Sequence, residues 1–248
     1  MAKFGKWIGG GLGWAFGGPI GAILGFALGT VFDKSIDDDV EFHEKNQGRT
    51  RTYSSQPGDF GASLLVLVAA VMKADGKVLK IELDYVKRFF LKQFGSERTR
   101  EHILLLREIL KKDIPLQEVC LQIRTFTMYP ARLQLLHLLF GVASVDAEIH
   151  ASEINIINQI AGYLAIKQED YLSIKAMFLK EVDSDYKILE IDKSASVEEI
   201  KRAYRRMAVK YHPDKVVHMG EEYKEAAKQK FQKVQEAYEN IKRQKGIK

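Results

Sequence analysis

Apolar and polar positions fall into three kinds of pattern along this chain. From Trp7 to Phe32 no residue is charged, a run that would extend ~39 Å as one helix, enough for the ~30 Å hydrocarbon core of a bilayer. Beyond about residue 58, apolar residues recur at three- and four-residue intervals, which predicts a set of amphipathic helices. Near the C-terminus Ile200, Ala203, Tyr204, Met207, Ala208 and Tyr211 share one helical face, and Ala227, Phe231, Val234, Tyr238 and Ile241 form a second stripe. Few segments alternate with period two, so the expected fold is all-α. The expected organisation is a membrane anchor at 1–35, a linker at 36–57, a helical domain at 58–180 and a terminal helical hairpin unit at 181–248.

Glycines punctuate the first segment at every fourth position: Gly5, Gly9, Gly13, Gly17, Gly21, Gly25 and Gly29. This is a glycine zipper, a series of small residues that lets apolar helices approach closely. In water each glycine would cost a helix roughly 1 kcal/mol relative to alanine, whereas lipid penalises unpaired backbone groups far more. A retained single-pass transmembrane helix is therefore expected, with a homodimer through the face of Gly9, Gly13, Gly17, Gly21, Gly25 and Gly29. A second arrangement stays open, because Gly17-Gly18-Pro19 can divide the run into two short helices that form a re-entrant hairpin. Cleavage as a signal peptide fits poorly, since Asp33-Lys34 stands where small residues would be needed.

The following linker is polar and ends in Pro57-Gly58. The helical domain then repeats itself at an offset of 71 residues, which pairs Leu64-Leu65 with Leu135-Leu136, Asp75 with Asp146, and Glu82 with Glu153. Two related helical hairpins packed into one bundle account for this, as neither could bury its apolar face alone. Between them one helix is expected after Ser96 and another from Pro115, and Pro130 opens the second repeat. A last helix is expected over 169–180. The acidic turns resemble those of the TerB-like domain, named for tellurite-resistance proteins. The residues carrying the likeness are Ala74-Asp75-Gly76-Lys77-Val78 with Glu82, and Val145-Asp146-Ala147-Glu148-Ile149 with Glu153; Ala147 departs from the glycine usual there. Two readings of Asp75, Glu82, Asp146 and Glu153 remain: turn and helix-start residues favoured by the helix dipole, or a shared site for Ca²⁺ or another hard cation.

In the C-terminal unit, Ser196 and Glu199 form a capping box that starts a helix, and Pro213 stops it. Lys201, Arg202, Arg205, Arg206 and Lys210 occupy the arc opposite the apolar face, and Tyr211-His212-Pro213-Asp214 forms the tip. One His and one Asp with no further ligand argue against a metal site here. The tripeptide His212-Pro213-Asp214 resembles the signature of the J domain. So do Asp185-Tyr186-Lys187-Ile188-Leu189 ahead of it, Ala208-Val209-Lys210-Tyr211, and Phe231-Gln232-Lys233-Val234-Gln235-Glu236-Ala237-Tyr238; the likeness spans about residues 183–243. It implies a co-chaperone that docks on an ATP-bound DnaK-type heat-shock chaperone and stimulates its ATP hydrolysis. It also implies that the basic arc meets an acidic chaperone surface, and that His212 and Asp214 loosen contacts holding the nucleotide domain idle. Anchor, TerB-like domain and terminal J domain together resemble the DjlA-type membrane co-chaperones.

Composition narrows the alternatives. A net charge of +5 and a pI near 9.0 suit nucleic acid, but no helix-turn-helix, zinc or stacking-aromatic pattern accompanies the basic face. The single cysteine, Cys120, lies among Val119, Leu121 and Ile123 and reads as a buried thiol in a reducing compartment. No phosphate loop and no nucleophile set is placed, so no enzyme, no nucleic-acid partner and no organic cofactor are expected. The rival expectation is a stress-response membrane scaffold that binds a cation through its TerB-like domain, with the J domain as a tether. The expected location is the cytoplasmic membrane, with the C-terminal domains in the cytosol, where the ATP-dependent partner of a bacterial J domain resides.

Overall fold

A computed structural model describes residues 5–35, 60–146, 149–179, 181–215 and 221–247, and among these every regular element is helical. The helices are α1 (Gly5–Ser35), α2 (Phe60–Met72), α3 (Lys80–Ile109), α4 (Leu116–Phe126), α5 (Tyr129–Ala143), α6 (Ala151–Tyr163), α7 (Gln168–Ala176), α8 (Ser184–Ile188), α9 (Val197–Lys210) and α10 (Glu221–Lys245). The linker expected at 36–57 and Ala147 of the second acidic turn lie outside the described residues.

The repeat seen in the sequence is present in the bundle. Helices α2 and α5 are apolar around nearly their whole circumference and form its centre, with Leu64, Leu65, Val68 and Val71 buried in one and Leu135, Leu136, Leu139 and Val142 in the other. Each fully buried side chain of this kind contributes roughly 1.5–3 kcal/mol. The partner helices α3 and α6 begin in the same way. The Leu79 N–H donates to Glu82 Oε2 at 2.8 Å, and the His150 N–H donates to Glu153 Oε2 at 2.9 Å. Only the glutamate half of a capping box is made at each start, because neither Leu79 nor His150 returns a side-chain bond. Helix α3 breaks at Gly95 (φ 76°, ψ 174°), so the helix expected after Ser96 is its second half. Helix α7 is shorter than the expected 169–180.

The straight single-pass helix expected at the N-terminus is replaced by two helices that fold back on each other. Gly18 adopts φ 60° and ψ −153°, a conformation open to little but glycine, and Pro19 follows it. The two arms approach so closely that a Cβ on Gly13 would lie 2.0 Å from Gly21 O. The small-residue face therefore closes partly on itself; the packing around Gly9 and Gly29 lies outside the described residues. Gln122 of α4 holds the break, receiving the Ile20 N–H on Oε1 at 2.9 Å and donating from Nε2 to Gly17 O at 2.6 Å. Ile20, Leu24 and Ala27 are buried in the bundle's core. Among the described residues no helix is long and apolar enough to cross a membrane.

The last three helices pack together around Tyr186, Ile200, Met207, Val234 and Ile241, with Tyr204 stacked on Tyr238 at 4.2 Å. They also pack on the bundle, α10 against α5 and α8 against α7. Ser173 Oγ donates to Ile188 O at 2.9 Å across this joint.

Gly18→Ala should destabilise the chain by about 1–3 kcal/mol, since alanine is strained in that conformation and its Cβ would meet Gln122. The readout is the denaturant midpoint of the full chain; an unchanged midpoint would contradict the break as described.

Candidate functional site

Helix α9 turns one arc inward and the other out because its apolar residues recur at helical spacing. Ser196 caps it, its Oγ accepting from the Glu199 N–H at 3.3 Å while Glu199 Oε2 accepts from the Ser196 N–H at 2.8 Å. Ile200, Ala203, Met207 and Tyr211 are buried, and Lys201, Arg202, Arg205 and Arg206 are exposed. Tyr211 ends the helix, and residues 213–215 form a single tight turn in which the Lys215 N–H donates to His212 O at 3.0 Å.

At the tip the Asp214 N–H lies 3.3 Å from His212 Nδ1. The Asp214 carboxylate stands 3.5 Å from the same ring nitrogen, with side chains 48% (His212) and 82% (Asp214) exposed. The His212 ring meets Phe231 of α10 edge-on at 5.8 Å. Together with Ala208, Val209 and Lys215 these residues line an open, mostly apolar groove of about 510 Å³. Val209 is 60% exposed. Neither Val209 nor Phe231 was marked as functional by the sequence, because each reads as an ordinary member of an amphipathic helix.

The basic arc is divided. Lys201, Arg202 and Arg205 face solvent. Arg206 Nη2 donates to Leu189 O at 3.3 Å and stands 3.7 Å from Glu190 Oε2. Lys210, expected on the docking face, turns into the joint with the bundle instead, its Nζ 2.6 Å from both Asp170 Oδ1 and Glu190 Oε1. The physical reason is tertiary: the Lys210 and Tyr211 side chains at the end of α9 reach the buried Asp170 of α7. Burial pulls the Lys210 ammonium down, but the hydrogen bonds to Asp170 and Glu190 outweigh it and its pKa rises. Tyr211 donates to Asp170 Oδ1 at 3.2 Å, and burial together with that carboxylate pushes its phenol well above the ordinary value. Lys230 of α10 is fully buried 4.9 Å from the Tyr211 ring, and burial drives its pKa well below the usual lysine value despite the pull of Asp170.

Three of the four repeated acids hold a helix start or a turn. Glu82 and Glu153 accept the N–H bonds at the starts of α3 and α6, and Asp75 Oδ1 accepts from the Lys77 N–H at 2.9 Å. Asp146 stands 3.9 Å from His150. Burial pushes Glu82 up to about 7 against its bond from Leu79, with added repulsion from Glu153, Asp75 and Asp146. Acids of the two repeats therefore lie within electrostatic reach of Glu82. Among the described residues no group of three or more His, Cys, Asp or Glu is arranged to hold a metal ion. Cys120 is buried and its thiol is pushed up to about 12, which leaves it inert. His102 packs between Phe90 and Phe94, and His137 is buried edge-on to Phe178, both as packed histidines.

Three family models match the chain in succession. The model described as the co-chaperone DjlA transmembrane domain matches residues 1–52, the tellurite resistance protein TerB model 62–176, and the DnaJ domain model 184–247. Among curated relatives, the co-chaperone protein DjlA of Vibrio vulnificus is 29% identical over 260 residues, 89% of this chain and 91% of the relative. The protein of the same name from Coxiella burnetii is 28% identical over 98% of each chain, and that from Haemophilus influenzae 25% identical over 100% of each. No solved structure matches the chain at a significant level.

The raised pKa of Glu82 makes a signed prediction. The folded state holds this proton more tightly than the unfolded one, so the favourable contribution is complete below 4.5 and is lost as pH rises toward about 7. Glu82→Gln keeps an acceptor for Leu79 and removes the buried charge. It should raise the melting temperature by about 2–4 °C at pH 8, and the gain should vanish toward pH 4.5. Thermal melts at the two pH values decide it, an equal change at both being the contrary result.

Proposed function

We propose that this chain, a J-domain co-chaperone of the DjlA type by its membrane segment, TerB-like domain and J domain in that order, docks on an ATP-bound DnaK-type chaperone and accelerates its ATP hydrolysis. The observation that carries the reading is the Asp214 carboxylate: 82% exposed, it stands 3.5 Å from the His212 ring at the end of a basic helix. Its exposure leaves the carboxylate open to a partner. Lys201, Arg202 and Arg205 supply the cationic face for an acidic partner surface, while Val209 and Phe231 supply apolar contact beside the tip. The chain has no reaction of its own in this reading. Its activity is to release a restraint in the partner's nucleotide domain. The membrane segment fixes the protein at the cytoplasmic membrane, and the J domain lies on the cytosolic side with its ATP-driven partner.

Two outcomes test it. Asp214→Asn should leave the melting temperature unchanged and reduce stimulation of a DnaK-type ATPase at least about tenfold, the scale expected when one member of a desolvated charge pair is lost. Wild-type stimulation by that variant would end the reading. Stimulation should also weaken as salt rises through the range where the screening length falls below ~10 Å; a salt-independent titration would remove the basic face from the mechanism.

A further inference from the structure

We infer that Asp170, in the TerB-like domain, is the positioning residue for the J-domain tip, an inference that rests on the co-chaperone reading. Asp170 sits in the first turn of α7 and is 1% exposed. Its Oδ1 lies 2.6 Å from Lys210 Nζ and 3.2 Å from Tyr211 Oη. These are the two residues immediately ahead of His212. Its Oδ2 accepts from Tyr129 Oη at 2.6 Å, and Tyr129 Oη accepts from the Lys167 N–H at 3.0 Å. One carboxylate thus joins the start of α5, the start of α7 and the last turn of α9. On the J-domain side Glu190 Oε1 shares the Lys210 ammonium at 2.6 Å.

The bonds within the tip are local and need no help from the bundle. Asp214 bonds to His212 and Lys215 to His212. What the tip cannot set by itself is its direction, because two apolar surfaces can slide or rotate over each other at small cost. A buried carboxylate cannot. Any rotation of the J domain over the bundle would strip Asp170 of both Lys210 and Tyr211 and leave Lys210 with Glu190 alone, so the pair selects one orientation more than it adds stability. Lys230 reinforces the choice. Its Nζ is buried without a hydrogen-bond partner among the described residues and faces Asp170, Lys210 and the Tyr211 ring. Loss of the carboxylate would leave that lysine facing Lys210 alone. The J domain is therefore mounted in one direction, and the TerB-like domain acts directly on the two residues that carry the tip.

The test uses the full chain in bilayer discs with spin labels at Glu198→Cys and Arg124→Cys, two exposed positions on the J domain and on α4. The wild-type background should give one narrow distance distribution, and Asp170→Asn a broad one. In unlabelled protein, Asp170→Asn should raise the concentration for half-maximal ATPase stimulation severalfold with maximal stimulation nearly retained. Lys210→Met should behave as Asp170→Asn does, and Lys210→Arg, which keeps the charge, should keep the narrow distribution. Should Asp170→Asn not fold, Tyr211→Phe, which removes one hydroxyl and keeps the packed ring, should broaden the distribution by itself. A distribution as narrow in the variants as in the wild type overturns the inference, as does broadening in Lys210→Arg equal to that in Lys210→Met. Failure of the co-chaperone reading would look different: Asp214→Asn would stimulate normally while the distance measurement still judged Asp170.

Discussion

A buried carboxylate shared by two domains is the constraint around which the C-terminal half of this protein is arranged. Asp170 is buried, and its carboxylate is satisfied by one ammonium and two phenols. Those groups come from Tyr129, Lys210 and Tyr211, so the positions of α5, α7 and α9 are determined jointly. A low local dielectric strengthens each bond and would punish each omission. The same environment sorts the two lysines. Lys210 touches two carboxylates and is held in its charged form, while Lys230 touches an aromatic face and is driven toward neutrality by burial. Two lysines can therefore sit near one acid without full repulsion between them.

What the sequence disclosed follows from how local each signal is. The cap at Ser196, the apolar stripe of α9 and the stop at Pro213 depend on residues within one or two turns, and all three stand as expected. The 71-residue repeat was legible because matched glutamates start matched helices, and Glu82 and Glu153 do so with the same bond. Asp170 was not legible. In sequence it is an acid in a first turn, a pattern the helix dipole explains by itself. Its role depends on partners 41 residues away in either direction. Lys210 was misplaced for the same reason, since on the helix it shares an arc with Arg206, and only the bond to Asp170 separates them. Lys230 lies within an amphipathic helix whose polar residues are mostly solvated, and nothing local marks it as buried.

The glycine series shows a pattern with two geometries. Small residues at every fourth position make a flat face, and periodicity does not say whether a second copy or the same chain covers it. Gly18 turns part of the face onto the same chain. With its backbone in a conformation that ends the helix, Gly13 meets Gly21 of the same chain. A break in a helix frees an acceptor before it and a donor after it. The Gln122 amide is a complementary partner because it offers one donor and one acceptor side by side. Gly17 O and the Ile20 N–H take one each.

The TerB-like bundle therefore contacts both of its neighbours through polar side chains set in apolar joints. Gln122 grips the bend of the N-terminal hairpin, and Asp170 grips the end of α9. Apolar area supplies adhesion at each joint but little direction, since buried surface is indifferent to small rotations. A hydrogen-bonded amide or carboxylate supplies direction, because its energy falls steeply when the geometry is lost. A bundle that only tethered its neighbours would need neither residue. The pairing of a wide apolar contact with buried polar ties at each end is what a rigid mount requires, and it leaves the His212–Asp214 tip exposed.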